Sequence, residues 1–82
     1  MRGQVALVKE QGQDFAVVVV KDHVVRSPHE REEAVAWAEQ EFGVRAVLMG
    51  EHGSTWGHQD IVRWLESVPM EALPWREYTI SN

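Results

Sequence analysis

Two apolar runs separated by a turn open the chain. Val5-Ala6-Leu7-Val8 precedes Gln11-Gly12, and Phe15-Ala16-Val17-Val18-Val19-Val20 follows it. Runs of this length flanking a glycine turn predict a β-hairpin, with strands over 4–9 and 14–21. The second run is apolar at every position rather than at alternate ones. That pattern belongs to a central strand covered on both faces. A tight turn at Asp22-His23 is expected to lead into a brief third strand, Val24-Val25-Arg26.

The period then changes from strand-like to helical. Ser27-Pro28-His29-Glu30 reads as a capping box with proline at the first helical position, and Gly43 supplies a left-handed stop. A helix over 28–42 is predicted, with Ala34, Val35, Ala38 and Phe42 as its inward stripe and Trp37 at the edge of that stripe. A strand over 44–49 follows. Residues 50–58 carry three glycines and read as a loop. A second helix is predicted over 58–68, with Ile61, Val62, Trp64, Leu65 and Val68 on its apolar face. Pro69 ends it, residues 70–73 form one loose turn, and Pro74 bars continuation. A last strand over 75–80 places Tyr78 and Ile80 on one face.

The order βββαβαβ gives an α+β class: a mixed four- to five-stranded sheet with two helices mainly on one face. The whole chain, 1–82, fits a single domain. With valines on both faces of the central strand and helices on one side, the other side would lie partly bare. A second subunit is the simplest cover, so a homodimer is expected.

Composition narrows the function classes. No cysteine is present, which excludes disulfides, thiolate zinc sites and thiol catalysis. The longest apolar run, residues 15–20, is far short of the ~20 residues of a membrane-spanning helix. The opening Met1-Arg2-Gly3-Gln4 lacks the apolar core of a signal peptide, so a cytoplasmic location is expected. Thirteen acidic residues against eight basic ones give a net charge of −5, which argues against a nucleic-acid binder. Arg63-Trp64 and Trp75-Arg76 do set cations beside aromatic rings, the pairing a nucleic-acid accessory factor would use.

Candidate chemistry gathers in the loop 50–58. It combines His52, Ser54, Thr55, Trp56 and His58 with the start of a helix, and Arg63 follows one turn further on. These six are the candidate ligand-binding residues. The loop lacks the lysine of a phosphate-binding loop, and its glycines at 50, 53 and 57 miss the dinucleotide spacing. His52, His58 and Asp60 are weak metal candidates, since their spacing matches no strong template. Ser54 follows Gly53 directly and so fails the nucleophile elbow; helix capping explains it as well. No catalytic residue is assigned and no cofactor is expected. The reading leans away from an enzyme, towards an interaction module acting as a homo-oligomer. The alternatives are a small-ligand, anion or metal-binding protein using the loop 50–58, and a nucleic-acid accessory factor.

Overall fold

The computed structural model describes residues 2–10 and 12–79. It is α+β, built on one mixed, open, five-stranded sheet. β1 (Arg2–Glu10) and β2 (Gln13–Val20) form the expected hairpin, pairing from Val5–Val18 to Glu10–Gln13. After β2 come a short helix, α1 (Asp22–Arg26), and a long one, α2 (Pro28–Phe42). β3 (Arg45–Gly50) returns parallel to β2. The chain ends with a two-residue strand β4 (Thr55–Trp56), helix α3 (Gln59–Glu66), a 3-10 turn at Met70–Ala72 and β5 (Trp75–Thr79). The strand order is β4-β3-β2-β1-β5, which puts the valine run at the centre as its pattern predicts.

Three expectations change. The residues 24–26 are helical rather than extended. Both edges of β2 are taken, by β1 on one side and β3 on the other, so a third strand would find no partner there. One helical turn instead drops Val25 onto the sheet, where it is buried, and tertiary burial overrides its strand propensity. Within the loop 50–58, Thr55 and Trp56 pair with Met49 and Leu48 and extend the sheet by one short edge strand. The order is therefore ββααββαβ. Finally, the helices divide between the two faces. Ala16, Val18, Ala46 and Leu48 meet α1 and α2 on one side; Phe15, Val17, Val47 and Met49 meet Ile61 and Leu65 of α3 on the other. This follows from the pleat: a strand apolar at every position offers a core surface to each side. The premise of a bare face, on which the dimer expectation rests, does not hold. Ile80 lies outside the described residues.

Helix α2 keeps the signals read for it. Ser27 Oγ accepts from the Glu30 amide at 3.4 Å, and Gly43 closes the helix at φ 71°. The reciprocal half of the capping box differs. The Ser27 amide donates to the carbonyls of His23 and Val24 at the end of α1, and the Glu30 carboxylate turns to His23 at 3.8 Å. Ala34, Val35, Trp37, Ala38 and Phe42 all pack on the α2 face of the sheet. No helix of the described residues is long and apolar enough to cross a membrane.

Candidate functional site

The loop candidates are strung out along one edge of the sheet, and His52, Trp56 and His58 each meet a different side chain. His52 lies at the carboxyl end of β3, against the start of α1. Its Nδ1 donates to Asp22 Oδ2 and its backbone amide donates to Asp22 Oδ1 at 3.3 Å. The hydrogen bond to Asp22, then the aspartate's charge, raises the pKa of the imidazole above 6.5; the same hydrogen bond holds Asp22 below 3.8. Ser54 is exposed, and its carbonyl accepts from the Gly50 amide to close the turn. Thr55 and Trp56 alternate across β4. Trp56 packs on the α2 face beneath Arg31, whose guanidinium carbon lies 4.7 Å from the ring centroid. That cation–π contact contributes on the order of 0.5–2 kcal/mol.

His58 precedes α3. Its Nε2 donates to Glu39 Oε2 of α2 at 3.1 Å, and that same oxygen accepts the Ala46 backbone amide at 3.2 Å. Glu39 therefore closes the part of the β3 edge that the short β4 leaves uncovered. Asp60 belongs to yet another contact, with Arg45 at 3.2 Å. Loss of solvent raises its pKa, but the Arg45 hydrogen bond and charge, with backbone amides at the start of α3, outweigh that and hold it below 3.8. Arg63 is exposed on α3. The two histidines and Asp60 thus have three separate partners, and no group of three metal-ligating side chains occurs among the described residues.

A concave site lies elsewhere. The β1–β2 ladder stops at Val5–Val18. Beyond it β1 continues on β5 as far as Arg2–Thr79, and β2 continues on β3 as far as Val20–Gly50. The two central strands part, so residues 3–4 and 19–20 face each other across a gap with no ladder between them. A crevice of about 530 Å³ opens there, on the face covered by α1 and α2. Its inner lining is Gly3, Val18, Val19, Val20, Val24, Ala34, Trp37 and Tyr78, all buried or half-buried. The four exposed lining residues, Gln4, Lys21, His23 and Glu51, are polar and form the lip. Volume and lining fall in the ordinary range for small-molecule sites.

One wall of the crevice is an aromatic cluster. Trp37 and Tyr78 lie 5.5 Å apart between ring centroids, and Phe42 meets both edge-on at 5.9 Å. The Tyr78 ring lies across Gly3, where even a single methyl group would come within 2.5 Å of the phenol oxygen. Burial pushes the pKa of the phenol above 10.0, so at neutral pH it stays protonated and keeps its donor. Compared with protein-family models, curated proteins and solved structures, the chain matches none.

Sequence reasoning passed over this site because none of its residues carries a chemical motif. The one available signal was Tyr78 on an apolar-faced last strand with glycine near the start of the first. Their pairing, Gly3 opposite Tyr78, emerges only with the sheet order.

Proposed function

We propose that the protein binds a small, largely apolar molecule in the crevice where β1 and β2 part. The carrying observation is the end of the β1–β2 ladder at Val5–Val18, which opens an apolar-floored, polar-lipped space in a sheet that carries a packed core on each face. Open sheets commonly take ligands beyond the carboxyl ends of parallel strands, and this crevice lies at the carboxyl end of β2, beside parallel β3. The charged lip residues are exposed while the floor is made of valine and aromatic side chains, a lining suited to holding a molecule rather than transforming it.

Titration with the uncharged, polarity-sensitive dye Prodan tests this. Wild-type protein should give a saturable, blue-shifted signal at one dye per chain. Filling the crevice with Ala34→Phe or Val20→Phe should weaken binding at least about tenfold, since added volume excludes the ligand outright. His52→Ala and His58→Ala should bind as wild type does. Unchanged affinity in both filled variants would remove the crevice as the site.

A further inference from the structure

Among the polar groups around the crevice, the Tyr78 hydroxyl differs from the rest. The lip residues are exposed, and His23 already faces Glu30 at 3.8 Å. Tyr78 is half-buried, and its ring is fixed by Trp37, Phe42 and the bare backbone of Gly3. The hydroxyl end lies over Gly3, which itself lines the crevice. Among the described residues this hydroxyl makes no hydrogen bond, and it is not among the polar atoms sealed from solvent. A fixed, half-buried donor at the wall of an apolar space is the usual means by which such sites orient a ligand.

Resting on the crevice reading above, we infer that Tyr78 is its specificity-determining residue: the ligand is an uncharged, planar aromatic molecule whose one acceptor atom takes the Tyr78 O–H. The aromatic body follows from the walls. Trp37 and Tyr78 present ring surface, which favours a further ring in offset or edge geometry, and Val18 and Val20 present branched methyl surface beneath it. The lack of charge follows from the lining, because Lys21, His23 and Glu51 are all at the exposed rim. A charged group carried deep would lose its water without gaining a partner.

The test is a matched pair of probes, acetylnaphthalene and ethylnaphthalene, which share a shape and differ in the carbonyl acceptor. Affinities are read from the methyl resonances of Val18, Val20 and Ala34. Wild-type protein should prefer the ketone by about fivefold, the worth of one neutral hydrogen bond. In Tyr78→Phe, which keeps the ring and its packing, that preference should fall to nearly one while ethylnaphthalene binds as before. Equal affinities of the two probes for wild-type protein, with the crevice methyls shifting, would overturn the role of Tyr78 and leave the crevice as a binding site. So would an equal weakening of both probes in Tyr78→Phe, since the hydroxyl would then be supporting the wall rather than meeting the ligand. If neither probe moves any of the three methyl groups, the crevice reading falls as well.

Discussion

Two regions meet the carboxyl ends of the parallel strands, and they use their side chains in opposite ways. The loop 50–58 follows β3 and is rich in chemical groups, yet both its histidines and its tryptophan close contacts within the protein: His52 to Asp22, His58 to Glu39, and Trp56 beneath Arg31. The crevice at the end of β2 is poor in chemical groups, yet it holds a donor with no partner among the described residues and an apolar floor open to a ligand. What distinguishes a site from a brace is whether the geometry has already satisfied the polar atoms, because a satisfied group gains little from a newcomer. Residue type alone reports the groups present and says nothing of their engagement.

The sharpest way to break this comparison is at Gly57, inside the loop. Its φ is 149°, and an added Cβ would lie 2.6 Å from Val47 Cγ1 and 3.0 Å from Val47 Cα. Val47 is fully buried in the strand alongside, so neither the backbone nor the neighbour has room to yield. Gly57→Ala combines backbone strain with overpacking and should cost about 3 kcal/mol or more in urea unfolding. A loss under about 1 kcal/mol would mean the loop is loosely held, and its groups would again be free to serve a ligand.

A medium-sized effect is expected at Glu39. Its carboxylate accepts the amide of Ala46, a residue with no exposed surface, and also accepts from His58. Glu39→Ala leaves that amide without a partner and should cost about 1–3 kcal/mol, with Glu39→Gln recovering much of the loss because the amide oxygen still accepts. His58→Ala removes only the exposed partner and should fall within about 0.5 kcal/mol of wild type. The reverse ranking would mark His58, not Glu39, as the group the edge depends on.

The crevice wall answers to a different change. Gly3→Ala would drive a methyl into the Tyr78 ring, which must swing away because Gly3 sits in the paired part of β1. The expected stability cost is about 1 kcal/mol, small because the ring is only half-buried and can move outward. Prodan affinity should change far more than stability does, and the opposite balance is expected for Gly57→Ala. If both variants changed binding and stability in proportion, the two regions would be one cooperative unit.

Much of the fold was legible because its signals are local. The Ser27-Pro28 start and Gly43 stop of α2 bound it at both ends, and the unbroken apolar run 15–20 marks the central strand. Two features depended on pairings that no window of sequence contains. Val24-Val25 reads as strand by propensity, and only the occupancy of both β2 edges makes it helical. The split of the helices between faces required knowing that α3 returns beside the far side of β3. The crevice was invisible for the same reason: it is made where two strands cease to pair, and the residues there are ordinary valines, a glycine and a tyrosine. The loop drew attention through its histidines and glycines, residue types equally suited to bracing a turn.

The smallest effect expected is the pH response of the His52–Asp22 contact. The imidazole titrates above its ordinary value of 6.5 because of the hydrogen bond and charge of Asp22, with Glu51 adding to the rise and Arg26 opposing it. A group whose folded pKa is raised contributes its full stability below the unfolded value and loses it as pH climbs through the folded one. Asp22 runs the other way: held below 3.8, it contributes above that value and loses the contribution as pH falls through its folded pKa. The contact is therefore complete between about pH 4 and 6.5 and fades on either side. Asp22→Asn should bring the His52 titration, followed by the ring-carbon resonances, back down towards its ordinary range. Thermal stability should change only slightly, since the imidazole is 86% exposed. Prodan affinity is expected to stay level across the same window, because neither His52 nor Asp22 lines the crevice. Glu51 gives this expectation its edge: it lies at the rim and also feels the His52 charge, so the contact could reach the ligand through it. If dye affinity follows the His52 titration in wild type and stops following it in Glu51→Gln, loop and crevice are coupled, and the loop is more than a brace.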